Sequence, residues 1–431
     1  MKKNLIVLIM FVLFTGAAFA QNLPNGVSAS FWGRAAFVPF ELQVNKDEPD
    51  DLLLKHKITT AIGPSWGLQP SGRAANLCFR GNSQYVGFVV EIEADVAIRL
   101  GEYSYIWAKP FGEYVRLDVG VFMNDELRGV FGGDSFDYFV LRIPVDMEDS
   151  IFNRFAVVST QNEAGALLGI YPIQGLTLAA FMKVRNSKIE KAALEQLGPL
   201  MKTSLDRMQF AAGYRIPGAG HLRLQFLNAP NFTWAGIPTG EGIYNAKFQG
   251  DELNYYYNQF KRIEAAFNLT ALSGLGLGLD IGVKIPFPYS NQGIDYSAPI
   301  MASMGANYTI DDFGIGLNLQ SWFGGKVKGQ GQDRAFAQRA AMHLIPTYNL
   351  GFAIVGGLIG LDLKGNDKND GIKMDNKRLD IGLGAYIRKN YSNGNICAGF
   401  TYTFADLTND KSGFRTLGYF RIPIIMEIAF F

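Results

Sequence analysis

Six segments of this chain alternate, residue by residue, between large apolar side chains and small, polar or charged ones. In LGLGLDIGVKIPF, Leu275, Leu277, Leu279, Ile281, Val283 and Ile285 alternate with Gly276, Gly278, Asp280, Gly282, Lys284 and Pro286. RLDIGLGAYIRK, RMQFAAGYRI, YVGFVVEIEAD and YVRLDVGVF read the same way. So does the last stretch, GYFRIPIIMEIAFF, where Phe420, Ile422, Ile424, Met426, Ile428 and Phe430 are interleaved with Arg421, Pro423, Ile425, Glu427 and Ala429. A period of two is the mark of a strand with two unlike faces, and Pro423 argues against a terminal helix. Each segment runs for about ten residues, the length a tilted strand needs to cross a bilayer.

The connections separate two architectures, a soluble sandwich and a membrane barrel. Tight turns are expected at Pro110 to Glu113, Ile173 to Gly175, Pro217 to Gly220, Ser273-Gly274, Asp311-Asp312 and Tyr391 to Asn395. Longer polar stretches alternate with them, near 184–206, 229–259, 287–298, 325–335, 364–377 and 406–414. A sandwich has no reason to gather every long loop at one end, whereas a transmembrane barrel does. Aromatic residues cluster at the expected strand ends: Tyr105, Trp107, Phe287, Tyr289, Tyr308, Phe313, Trp322, Phe323, Phe404 and Phe430. Amphipathic rings in such positions form girdles at the two membrane interfaces.

The N-terminus reads as an export signal. Lys2 and Lys3 precede the apolar run Leu5 to Phe14, and Ala18-Phe19-Ala20 form a small-residue cleavage site before Gln21. Residues 1–20 are therefore expected to be removed, leaving 21–431 as a single barrel domain. Two cysteines, Cys78 and Cys397, exclude a disulfide-stapled scaffold, and whether they pair is left open. A formal net charge of +1 excludes a strongly basic nucleic-acid binder. Charged residues and glycines interrupt every later apolar run, so no spanning helix is expected.

The export signal, the repeated amphipathic strands, the alternating loop lengths and the terminal Phe431 together resemble bacterial outer-membrane β-barrels of the porin type. The resemblance implies an all-β, antiparallel, up-and-down transmembrane barrel with short periplasmic turns and long extracellular loops. It also implies outer-membrane lipids and the barrel-assembly machinery as partners, the latter reading a C-terminal Phe, and a homotrimer as the assembly. One detail departs from that pattern, because the apolar register runs with Phe430 and the Phe431 register holds Glu427 and Arg421. The 411 residues left after removing 20 from 431 suit about 16–20 strands, with 18 the best match.

On a wall that spans lipid, an Arg or Lys on the outer face at mid-bilayer costs about 2–4 kcal/mol. The apolar registers therefore point outward and the charged registers inward. The expected lining is Glu91, Glu93, Arg116, Asp118, Arg207, Arg215, Arg223, Arg262, Glu264, Asp280, Lys284, Arg339, Arg378, Asp380, Arg388, Arg421 and Glu427. So many ionic groups need either water or dense pairing, and a barrel of this size leaves room for water. Basic members outnumber acidic ones by ten to seven, which points to passive diffusion of small hydrophilic solutes with a mild anion preference. Inward glycines at 276, 278, 282, 382 and 384 either widen the lumen or ease sheet curvature.

Two insertions stand out as candidates to shape the pore. Segment 186–206 carries a short helical pattern through Ile189, Ala193, Leu197 and Leu200, and segment 229–259 is rich in aromatics. The rival functions are weaker. No cofactor or metal motif is present, and His56, His221 and His343 lie in no hydrolase pattern, which argues against an enzyme. The chain is too short for a receptor with a large N-terminal plug. A structural barrel or adhesin acting through its outer loops, and a hydrophobic-solute transporter, remain as alternatives.

Overall fold

In the computed structural model the described residues are 26–44, 52–59, 75–94, 98–100, 104–123, 162–183, 208–227, 261–269, 272–291, 293–297, 299–329, 333–369, 371–373, 377–404, 407–408 and 417–430. The expected signal segment, the helical pattern at 186–206, the aromatic insertion at 229–259 and Phe431 lie outside them.

Antiparallel pairing of sequence neighbours builds one wall of 18 strand positions. They are β1 (Val27–Val44), β2 (Leu52–Thr59 continued by Ala75–Asn82), β3 (Val86–Ala94), β4 (Ile98–Leu100 continued by Ser104–Ala108), β5 (Val115–Met123) and β6 (Asn162–Ile170). Next come β7 (Leu176–Lys183), β8 (Met208–Ile216), β9 (Gly220–Leu227), β10 (Arg262–Leu269), β11 (Leu277–Pro286) and β12 (Ile300–Ile310). The last six are β13 (Phe313–Phe323), β14 (Arg339–Asn349), β15 (Ile354–Lys364), β16 (Arg378–Tyr391), β17 (Gly394–Phe404) and β18 (Leu417–Phe430). Both halves of β2 pair with β1, and both halves of β4 pair with β3, so each interrupted strand fills one position.

The wall closes between its last strand and its first. β18 lies antiparallel to β1, with Phe31 opposite Phe430 and Gln43 opposite Tyr419. Closure joins the first and last strands of the sheet, and pairing between strands is what satisfies backbone polar groups in hydrocarbon. The tight turns all fall at one end, as expected, joined by two more at Ser83 to Tyr85 and Leu350 to Ala353. In the two-residue turn between β12 and β13, Asp311 takes φ 48°, a left-handed geometry that a short polar side chain tolerates.

At the other end the structure differs from simple loops. Segments within 287–298, 325–335 and 364–377 form a second sheet of six short strands, Tyr289–Asn291, Ile294–Ser297, Lys326–Lys328, Arg334–Ala335, Lys368–Asn369 and Ile372–Lys373. This sheet extends the wall beyond the rim. Trp322 faces Arg339 within the barrel and Lys326 faces Ala335 above it, so four steps along one strand match four steps back along the other. The β11/β12 pairing continues in the same way from Lys284–Met301 to Tyr289–Tyr296. Strands of two to four residues carry too little alternation to be seen in sequence, and they exist because the barrel hairpins below fix their register.

The two faces of the wall differ as the alternation predicts. Large apolar side chains are exposed on the outside: Leu117 and Val119 on β5, Leu222 and Leu224 on β9, Ile281 and Ile285 on β11, Ile422, Ile424 and Met426 on β18. Exposed rings gather at the turn end, among them Tyr85, Phe111, Tyr348, Phe352 and Tyr391. Trp107 and Trp322 do not join this girdle. Both are buried on the inner face, where Trp107 lies under the Arg116 guanidinium (4.9 Å to the ring centroid) and Trp322 under that of Arg339 (5.8 Å). A cation over an indole face holds these tryptophans inward. Cys78 and Cys397 are both free thiols.

Candidate functional site: the inner face of the barrel

Strand periodicity carries the charged registers inward. Glu91 on β3, Asp118 on β5, Arg223 on β9, Arg262 and Glu264 on β10, Lys284 on β11, Asp380 on β16 and Arg421 on β18 are all buried. Arg116, Asp280, Arg339, Arg378, Arg388 and Glu427 share those registers and are half-buried, and Arg215 is exposed where β8 meets its turn. Arg207 and the side chain of Glu93 lie outside the described residues.

Pairing dominates what these groups do. Three strands repeat one device, an Arg two residues before an acid on the same face. Arg116 Nε donates to Asp118 Oδ1 at 2.8 Å, Arg262 Nε to Glu264 Oε1 at 2.5 Å, and Arg378 Nε to Asp380 Oδ1 at 2.8 Å. Residues i and i+2 point the same way from a strand, and the arginine stem spans the gap. Glu264 is also 3.5 Å from Lys284 Nζ, its cross-strand neighbour, so one carboxylate sits between two cations. Arg339 grips Asp362 with two parallel bonds, Nε to Oδ1 at 2.9 Å and Nη2 to Oδ2 at 2.5 Å. This fork-to-fork geometry is the strongest form of the pair. Near the turn end Asn395 donates to Glu427 (2.9 Å) and Arg388 to Asn390 (2.7 Å), and Asp280 accepts from Asn268.

Registry lays these groups out in rows perpendicular to the strands. One row runs Gln225, Glu264, Lys284, Met301, Trp322, Arg339, Lys364, Arg378 from β9 to β16. Its cations stand near the long-loop end. The row two residues deeper runs Arg223, Ala266, Gly282, Ser303, Gln320, Ala341, Asp362, Asp380. Over β6 to β10 the inner face changes character. Leu167, Ala179, Phe181, Ala211 and Ala266 form a buried apolar cluster with Tyr105 and Tyr171 against it.

Several inward polar residues were not singled out in the sequence: Asp362, Lys364, Gln209, Gln225, Asn318, Gln320, Thr401 and Thr403. The signal was present. In GLNLQSW, Asn318 and Gln320 alternate with Leu317 and Leu319, and in LIGLDLK Asp362 and Lys364 alternate with Leu361 and Leu363. His221 and His343 also occupy inward positions and are buried there. Of the glycines expected inward, Gly282 and Gly382 are buried on that face, whereas Gly276 ends a short 3-10 turn in the left-handed region, φ 73°. Among the described residues no group of three His, Cys, Asp or Glu side chains is placed to hold a metal ion.

A closed 18-strand antiparallel wall, with large apolar side chains outside and charges inside, is the architecture of a transmembrane β-barrel. No protein-family model and no curated protein sequence matches the chain. Among solved structures it is similar to an anion-selective porin from Comamonas acidovorans, at 10% identity and a TM-score of 0.49, over 94% of this chain and 100% of that one. It is also similar to a BenF-like porin from Pseudomonas fluorescens Pf-5, at 12% identity and a TM-score of 0.49, over 95% and 100% of the two chains. OpdQ from Pseudomonas aeruginosa aligns at 11% identity and a TM-score of 0.48, over 94% and 98%. These likenesses are of strand architecture.

Proposed function

We propose that the chain forms a channel for passive diffusion of small hydrophilic solutes across the outer membrane, with a mild anion preference. The observation that supports this reading is that Arg223, Arg262, Glu264, Lys284, Arg339, Asp362 and Asp380 are withdrawn from solvent in the register opposite the exposed apolar side chains of an 18-strand wall. A wall of that size has the circumference at which a lumen holds water. The preference for anions rests on the row Lys284, Arg339, Lys364 and Arg378 near the long-loop end, because a ring of fixed charge at a mouth selects the opposite sign.

A second reading, a structural barrel or adhesin acting through its outer loops, is supported by one feature. The same inner charges are buried and paired, with Asp118, Glu264 and Asp380 fully withdrawn from solvent. Conductance of the refolded protein in a planar bilayer separates the two. Stepwise ohmic openings with a reversal potential displaced toward the anion support the channel. A sealed bilayer, from protein that still migrates as a heat-modifiable β-barrel, favours the structural role.

A further inference from the structure

The six-stranded sheet beyond the rim carries a row of lysines. Successive cross-strand partners run Ser297, Lys326, Ala335, Lys368, Lys373 over five neighbouring strands. Residues directly opposite one another share a face, so all five side chains stand on one side of that sheet. The row holds three cations and no acid. Lys326, Lys368 and Lys373 are exposed, and among the described residues none of the three makes an ion pair. The nearby acids are engaged elsewhere. Asp367 takes Lys364 Nζ (2.9 Å) and the Ala337 N–H (2.7 Å), Asp333 accepts from the Gly329 N–H (3.2 Å), and Asp295 accepts from Ser290. Asp295 also stands opposite Lys328, one row further from the barrel. Asp370 and Asp375 lie outside the described residues.

Two of the lysines oppose each other. Lys368 faces Lys373 across a hairpin that closes over Gly371, whose φ of 77° suits a tight turn. Like charges directly opposite destabilise a strand pair, and these strands are two residues long, with little else to offset the repulsion. An anion lying over the row removes it. Ala335 stands between Lys326 and Lys368. Neighbouring strands are roughly 4.8 Å apart, so those two lysines rise on either side of a single methyl group, two strand spacings from each other. The result is a shallow slot, floored by Ala335 and flanked by cations on flexible stems.

We propose that this row is a binding site for an anion carrying several phosphate groups, seated over Ala335 with Lys326 on one side and Lys368 and Lys373 on the other. Lysine ammoniums are compact point charges that approach a tetrahedral phosphate from separate directions, whereas a planar carboxylate is matched by an arginine fork. Lysines in line suit a ligand of high charge over a single small ion. Such a ligand has two sources, a soluble oligophosphate and the phosphorylated headgroup of a lipid. The row lies beyond the inner rows of the barrel and does not rest on the channel reading.

Binding is measured on the protein refolded in uncharged detergent, where no current is needed. Sodium tripolyphosphate is titrated at fixed ionic strength, because salt screens exposed charges, and binding is read from phosphorus NMR line broadening. The triple variant Lys326→Gln, Lys368→Gln, Lys373→Gln is expected to weaken binding at least tenfold. Lys328→Gln, which removes a cation that already faces Asp295, is expected to leave it unchanged. Lys368→Gln alone is expected to fall between, which serves if the triple variant does not refold. No binding by the parent protein, citrate bound as tightly as tripolyphosphate, or equal losses in Lys368→Gln and Lys328→Gln would each overturn the proposal. Lipopolysaccharide added to the complex separates the two sources. Displacement by the phosphorylated form alone assigns the row to a lipid headgroup and no displacement assigns it to a soluble anion, and either result supports the phosphate chemistry. Equal displacement by a dephosphorylated form would overturn it. Failure of the channel reading is a sealed bilayer, a separate observation from any of these.

Discussion

Asp362 on β15 and Asp380 on β16 face each other directly across the strand pair, and both are buried. Like charges opposite one another destabilise a sheet. Each aspartate is held by its own arginine, Arg339 for Asp362 and Arg378 for Asp380, so the unit is a four-charge cluster with the cations one row nearer the loop end. Replacing Arg339 with Gln removes the cation that grips Asp362 and leaves that carboxylate facing a second buried one. The expected cost is about 3–5 kcal/mol, the usual result of breaking a buried pair from one side. It is read from the temperature at which the heat-modifiable band is lost on a gel. Adding Asp362→Asn to that variant is expected to recover part of the loss, because the facing carboxylate is gone. A double variant no more stable than Arg339→Gln alone would show that the two aspartates do not oppose each other.

Glu264 is the acid in its row, between Arg262 and Lys284. Glu264→Gln keeps the shape and removes the negative charge that both cations face. In a conducting barrel the reversal potential under a salt gradient is expected to move toward the anion. Lys284→Met is expected to move it the other way. Both variants are expected to lose about 2–4 kcal/mol of stability, since each leaves buried charge without its full complement. Shifts of the same sign in the two variants would contradict the assignment of these residues to the solute path.

The wall was legible in the sequence because lipid on one side and charge on the other impose a period of two on every strand. Arg421 and Glu427 could be set inward, and Ile422, Ile424 and Met426 outward, from that period alone. Partners across strands were not legible, because they depend on register, and a one-residue slip changes every contact. Hence Arg116–Asp118 and Arg378–Asp380, two residues apart, are visible in the chain, whereas Arg339–Asp362 is not. Trp107 and Trp322 were misplaced for a related reason. An aromatic near a strand end suits an interface girdle, but here each ring finds a cation on the inner face, and Trp107 also finds the bare backbone of Gly87 opposite it.

Gly356 provides a test of that packing of rings on glycine. It lies across from Tyr386, and a Cβ added there would come within 2.2 Å of the phenol ring. Gly356→Ala is therefore expected to be destabilising by about 1–3 kcal/mol, the usual penalty of overpacking. Combining it with Tyr386→Leu is expected to relieve most of the clash. The comparison is made by urea titration of the refolded barrel in lipid vesicles, where additive losses in the double variant would remove the contact as the cause.

Ile424 lies at the middle of β18, exposed on the face opposite Arg421 and Glu427, while its neighbour Ile425 is buried. If that face meets hydrocarbon, Ile424→Arg places a guanidinium at mid-bilayer and is expected to cost about 2–4 kcal/mol. Ile424→Val leaves the face apolar and is expected to change stability by less than about 1 kcal/mol. Refolding of both variants into lipid vesicles along a urea gradient measures the difference. In detergent micelles the arginine penalty is expected to shrink, because a micelle lets the long side chain reach water. An arginine variant as stable as the valine variant in vesicles would mean that this face does not contact lipid, and the membrane-spanning assignment of the closing strand would fall with it.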